Sequence, residues 1–211
     1  MLTNSQIRAR AREVLGGKIF GEKWLFALLI CLVSSAITAV AGLIPIAAIL
    51  VAGPLAVGIS GVFLRATRTG EKMSVNDMFA GFKDFAGNLV LDLIITLFTV
   101  LWTLLFIIPG IIKGLSYSMA FYIKNDHPEY KWKQCIEESK QMTKGHKGQL
   151  FCLYLSFIGW VLLGLLCFGV GLLWVAPYIS TSTAEFYNQL KGDDVFANTE
   201  TETPAAETLE L

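Results

Sequence analysis

Apolar residues along this chain come in long unbroken runs, separated by short stretches that hold nearly all the charge. The longest run, Trp24 to Leu64, covers 41 residues without an Asp, Glu, Lys, Arg or His. At about 1.5 Å rise per residue a helix of that length is roughly twice the ~30 Å hydrocarbon thickness of a bilayer, so the run must fold back as two spans. The first is expected from Trp24, whose amphipathic ring suits the headgroup level, to about Gly42, and the second from Ile46 to Leu64. Gly53 and Pro54 fall near the middle of the second span, a break tolerated in lipid only where neighbouring helices cover the freed carbonyl. Asn88 to about Ile108 and residues 111–123 form a second hairpin, and Gln149 to Phe168 and Leu172 to about Leu190 a third. The turn of the second hairpin lies either at Pro109 or, if that proline is mid-span like Pro54 and Pro177, near Trp102.

Three further segments carry helical periodicity. Residues 3–18 set Ile7, Val14 and Leu15 among Arg8, Arg10 and Arg12, which fits either a short basic helix at a membrane surface or a charged leader. Ser74 to Ala86 opens with Ser74 and Asp77 at capping-box spacing and aligns Val75, Met78, Phe79, Phe82 and Phe85, an aromatic interfacial helix. In the third, Asp126 or His127 before Pro128 is the expected helix start, and Trp132, Cys135, Ile136 and Met142 share a face.

Composition narrows the class to an all-α integral membrane protein. With 54% hydrophobic and 16% charged residues and a mean hydropathy of +0.57, the chain leaves no material for a separate soluble core. Residues 192–211 hold six acids and no base, so a membrane domain over 1–191 is followed by an acidic tail expected to be disordered and cytoplasmic. A signal peptide does not fit, because the apolar run outlasts a roughly 7–15-residue h-region with no polar mature segment after it. Cys31, Cys135, Cys152 and Cys167 form no CxxC pair and all but Cys135 lie in apolar runs, so neither a disulfide nor a zinc framework is expected. Sixteen of the 17 Lys and Arg residues fall on the same side of the six expected spans, and the positive-inside rule then places both termini in the cytoplasm.

A threefold internal repeat underlies these hairpins. VAGPLAVGISGVFLRATRTG, IIPGIIKGLSYSMAFYIKND and WVAPYISTSTAEFYNQLKGD each lead through a proline into polar residues. Each also carries small residues four apart, namely Ala48, Ala52, Ala56 and Ser60, then Gly110, Gly114 and Ser118, then Ala176, Ser180 and Ala184. Such ladders let backbones approach closely in lipid, so the three proline-bearing helices are expected to meet at the centre.

The candidate functional groups are few. Asp92, Lys113 and Glu185 are the ionisable residues in or near the spans, where an isolated charge costs several kcal/mol. Tyr117 and Ser180 belong to a seam of hydroxyl groups that includes Tyr122, Tyr178, Tyr187, Ser116, Ser118, Thr181, Ser182 and Thr183, and hydrogen bonding between helices is its ordinary account. Lys144, His146 and Lys147 could meet anionic headgroups, while topology determination alone also explains them. His127 and His146 have no second ligand at metal spacing, and no GxSxG, HExxH, P-loop or dinucleotide fingerprint occurs. Neither an enzyme, a metal, a cofactor nor a nucleic-acid partner is expected; the bilayer is the expected partner.

From Gly53 to Leu190 the strings GPLAVGISGVFL, FAGFKDF, LLFIIPGIIKGLSYSMAFYI, ESKQMTKGHKGQLF, LSFIGWVLLG and GVGLLWVAPYISTSTAEFY resemble an uncharacterised bacterial membrane family, domain of unknown function 975, found mostly in Firmicutes. The proline-led pattern alone is similar to the membrane domain attached to some glycerophosphodiester phosphodiesterases. Neither resemblance implies a reaction. Three readings follow: a non-enzymatic membrane-organising or lipid-sensing scaffold, a small transporter or channel subunit around Lys113, and an accessory partner of another membrane protein. A pocket lined by Lys113, Tyr117 and Ser180 would favour transport, and a dry, close-packed centre a scaffold.

Overall fold

The computed structural model describes residues 3–16, 21–43, 45–70, 73–166 and 170–192, and the regular elements among them are helical. In chain order they are α1 (Asn4–Val14), α2 (Glu22–Ala41), α3 (Pro45–Thr69), α4 (Val75–Met78) with a 3-10 turn over Phe79–Phe82, and α5 (Phe85–Leu105). There follow α6 (Ile107–Tyr117), α7 (Ala120–Asp126), α8 (Trp132–Met142), α9 (Lys147–Leu166) and α10 (Val170–Lys191). Three stretches are long and apolar enough to cross a membrane, Glu22–Ala41, Ala47–Thr69 and Phe85–Leu105. Lys147–Leu162 of α9 is apolar but shorter. Cys167 and the acidic tail from residue 193 lie outside the described residues.

Helix α3 is the centre. It packs against α2, the 3-10 turn, α5, α7 and α10, and 56% of its apolar window is buried, against 28% for α2 and 11% for α5. The outer helices present bare hydrocarbon instead: Leu29, Leu97 and Leu155 are exposed, and so, at the hairpin tips, are Leu43, Leu104 and Ile108. Apolar surface of this extent is stable only under lipid or another apolar partner.

The close packing of α3 comes from glycine. A Cβ on Gly58 would overlap the Met78 carbonyl, one on Gly81 the Pro54 carbonyl, and one on Gly53 the Asn88 carbonyl. The backbone of the α4 to α5 segment therefore lies directly on α3. The expected alanine ladder does something else. Ala48, Ala52 and Ala56 line an apolar hollow of about 210 Å³ together with Thr38 and Ala41 of α2, so this row borders a gap rather than a helix contact.

Several boundaries depart from the sequence expectation for local reasons. The second hairpin turns at Phe106, in extended conformation (φ −155°, ψ 130°), so Trp102 lies in the last turn of α5 and Pro109 in the first turn of α6, where its missing N–H costs nothing. The helix expected over 111–123 breaks after Tyr117, where the Ser116 carbonyl receives the Ser139 hydroxyl of α8 at 2.8 Å. The segment 74–86 is not one helix, because Gly81 sits on α3 in the 3-10 turn and Asp84 then caps α5 by accepting the Gly87 N–H at 3.2 Å. Asp126 ends α7 instead of starting the next helix; α8 begins at Trp132, with the Lys131 N–H bonded to Gln134 Oε1 at 2.9 Å.

The N-terminal segment is a helix, α1, and not a frayed leader. It buries Ile7, Ala11, Val14 and Leu15, chiefly against α10, and Asn4 Nδ2 donates to the Gln149 carbonyl at 3.2 Å.

Gly58→Val places a branched side chain against a backbone carbonyl that cannot swing aside, a cost of about 1–3 kcal/mol or more. The expected result is a clearly lowered melting temperature in detergent, while Gly159→Ala, with nothing within 4 Å of its Cβ, leaves it unchanged. Equal melting temperatures for the two variants would contradict the packing described.

Candidate functional site

The last turns of α3, α7 and α10 meet in one partly buried polar cluster. The Arg68 guanidinium at the end of α3 donates two parallel hydrogen bonds to Asp126 at the end of α7, Nη1 to Oδ1 at 2.7 Å and Nη2 to Oδ2 at 2.9 Å. From α10, the Tyr187 hydroxyl and Lys191 Nζ donate to Asp126 Oδ2 at 2.8 and 2.7 Å. Arg68 Nε donates to Asn188 Oδ1 at 2.9 Å, and Asn188 Nδ2 to the Thr67 hydroxyl at 2.9 Å. Tyr187 stacks on Tyr122 with ring centroids 5.4 Å apart. Such bidentate, charge-assisted pairing fixes geometry as well as charge.

Burial of the Asp126 carboxyl raises its pKa, but hydrogen bonds from Arg68, Lys191 and Tyr187 and the Arg68 charge more than reverse this, bringing it from 3.8 to about 2. The sequence treats Arg68, Asp126 and Lys191 only as loop charges. A signal was present: each stands five residues after a phenylalanine, Phe63, Phe121 and Phe186.

A second arrangement flanks the first. Lys124, 5% exposed, pairs with Asp84 Oδ2 at 2.7 Å and donates to the Pro128 and Tyr130 carbonyls at 2.6 and 2.9 Å, tying the start of α5 to the loop before α8. The Lys124 hydrogen bond holds the Asp84 carboxyl below its ordinary value. Asn125 Nδ2 bridges the Val57 and Phe121 carbonyls, both at 2.8 Å. The Cys135 thiol on α8 is pushed up to about 11 by burial, so it stays protonated at neutral pH.

The candidates read from the sequence do not converge. Asp92 of α5 packs its Cβ against Gly53, whereas Lys113 of α6 lies over the Trp102 ring at 5.0 Å. Asp92 is 14 residues before Phe106 and Lys113 is 7 after it, so the two differ by about 10 Å in depth. Tyr117 is buried beneath the Lys140 ammonium, Ser180 is partly exposed on α10, and Glu185 is buried on the same helix. Lys144, His146 and Lys147 occupy the turn into α9.

The hydroxyl seam divides: Tyr178 and Tyr187 donate across helices, to the Arg8 carbonyl at 3.4 Å and to Asp126 at 2.8 Å, whereas most of its serines and threonines bond locally. Ser116, Ser118, Thr181, Ser182 and Thr183 each donate to a carbonyl three or four residues back in the chain, at 2.7–2.9 Å, rather than across helices.

Among the described residues the regular elements are all helical and three helices are long and apolar enough to cross a bilayer, consistent with the class of helical membrane proteins. Residues 1–116 and 105–194 match the model of the family described as Protein of unknown function (DUF975), and the chain belongs to that family. No curated protein and no solved structure matches it.

Because the folded Asp126 carboxyl ionises more readily than the unfolded one, the cluster adds stability above about pH 4 and loses it as pH falls towards 2. With Arg68 and Lys191 partly exposed, the contribution is on the order of 1–2 kcal/mol. Asp126→Asn should lower the melting temperature at pH 7 and flatten its fall between pH 4 and 2; an unchanged acid profile would show that the cluster is energetically idle.

Proposed function

We propose that this chain is a non-enzymatic, multi-pass protein of the cytoplasmic membrane that organises or senses the bilayer. In this reading α2 and α3, α5 and the α6–α7 pair, and α9 and α10 are three hairpins making six crossings, with both termini in the cytoplasm. The broken α6–α7 pair serves as the fourth crossing, and Ser139 of α8 covers the carbonyl exposed at the break. The common spacing of Phe63 to Arg68, Phe121 to Asp126 and Phe186 to Lys191 supports a threefold repeat whose three equivalent ends carry plus, minus and plus.

The observation that carries the functional reading is the closure of the polar groups. The Thr181, Ser182 and Thr183 hydroxyls are bonded within α10, and α3 is sealed at backbone distance by Gly53, Gly58 and Gly81. Lys113 is seated on Trp102 and away from Ser180, on an element that makes no extensive contact with α10. What faces lipid is apolar. Phe79, Phe82 and Phe85 form a row with successive ring centroids 6.1 and 6.4 Å apart, with Phe79 and Phe85 exposed, and in this reading the row enters the inner leaflet as a shallow wedge.

Reconstituted into sealed liposomes, the protein should leave proton, sodium and dye gradients intact. A solute-selective leak that Lys113→Met abolishes while leaving expression and melting temperature unchanged would overturn the scaffold reading in favour of transport.

A further inference from the structure

We propose that the hollow between α3, the 3-10 turn and α7 is a binding site for a phosphate ester that also carries a hydroxyl, the chemistry of a glycerol phospholipid headgroup. The inference deepens the lipid-sensing reading and rests on it.

The hollow encloses about 240 Å³ and is bordered by Arg65, Lys83, Lys124, Asp84, Asn88 and Asn125. Three cations thus face one carboxylate. Lys124 is committed to Asp84 and two carbonyls, and Arg65 reaches Asp77 at 3.4 Å through side chains that are 53% and 43% exposed, a weak tie that a phosphate can displace. Lys83 is exposed and has no acidic partner among the described residues.

Asn88 supplies the independent sign of a ligand. It is 3% exposed, its Nδ2 donates to the Gly81 carbonyl at 2.6 Å, and its Oδ1 is buried without a donor among the described residues. A buried acceptor left unpaired costs about 1–3 kcal/mol. An ionised phosphate diester cannot supply that donor, but a hydroxyl on the same molecule can. The cations therefore select the anion and Asn88 selects its alcohol.

The surroundings suit a lipid. On the far side of the Lys124–Asp84 pair a second hollow of about 360 Å³ shares Asp84, Lys124 and Pro128 and continues past Ala86 and Val90 of α5 to Trp132. Val90 lies on the apolar outer face of α5, so a headgroup seated among Arg65 and Lys83 leaves its acyl chains a route along that helix into lipid.

The test uses the full chain in nanodiscs of phosphatidylcholine doped with phosphatidylglycerol, with retention of phosphatidylglycerol on purification measured by native mass spectrometry. Arg65→Ala with Lys83→Ala, both at exposed side chains, should lower retention about tenfold, and Asn88→Ala should shift preference from phosphatidylglycerol towards phosphatidic acid, which lacks the alcohol. Lys144→Ala with Lys147→Ala, removing the same charge elsewhere, should leave retention unchanged. Inorganic phosphate and glycerol 3-phosphate form the second arm: if they raise the melting temperature of the parent but not of the Arg65/Lys83 variant, while phosphatidylglycerol shows no preference, the site is upheld with a soluble phosphate as its source. Equal losses in the two lysine-containing double variants, or none in either together with no phosphate-dependent rise in melting temperature, would overturn the site. That failure leaves the membrane reading intact, since the liposome result does not depend on it.

Discussion

Asp126 accepts hydrogen bonds from Arg68 on α3 and from Tyr187 and Lys191 on α10, so a carboxylate on one helix fastens the ends of two others. Taking these charges from water is costly, and the arrangement is tolerable because every lone pair in use meets a donor and both cations retain partial access to solvent. Its main yield is register. Arg68 cannot reach Asp126 in the bidentate geometry unless α3 and α7 end level, and Lys191 imposes the same condition on α10. The remaining contacts, from the Tyr122–Tyr187 stack to the Asn188–Thr67 bond, are built around that alignment.

Along the spans the balance is different. Lipid tails are as apolar as leucine, so helices gain nothing from hiding side chains from them and must associate by close contact. Glycines on α3 provide it, letting the α4 to α5 backbone approach directly. The result is backbone on backbone along one side of α3, with Phe63, Phe157, Phe186 and Tyr187 buried elsewhere in the core and leucines such as Leu97 and Leu104 left on the outer surface. Within it, the Thr181, Ser182 and Thr183 hydroxyls of α10 find acceptors a turn back in their own helix, which satisfies these polar groups without opening a path.

Much of this was legible from the residues. The uncharged run from Trp24 to Leu64 forces a hairpin by length alone, and α2 and α3 fall within a few residues of that expectation. What escaped depends on contacts distant in sequence. The break after Tyr117 needs Ser139, the 3-10 turn at Phe79–Phe82 needs the backbone of α3, and α1 folds against α10 from the far end of the chain. Ladder spacing pointed to alanines because they recur every four residues, yet glycines at irregular spacing make the close contacts and the alanines border a gap. The Asp126 cluster was hidden because positive-inside bias already accounts for Arg68 and Lys191, and the one local sign, a phenylalanine five residues before each of the three charges, does not say that they meet.

The central claim is that the three joined helix ends lie at one face of a bilayer while the hairpin tips lie at the other. It is tested most directly by single cysteines at Thr69, His127 and Gly192, and at Leu43 and Phe106, in a chain whose four native cysteines are replaced, probed in intact cells with a membrane-impermeant maleimide. The account predicts labelling at Leu43 and Phe106 only, with the other three labelled after the cells are opened. Labelling of Thr69, His127 or Gly192 in intact cells would contradict it.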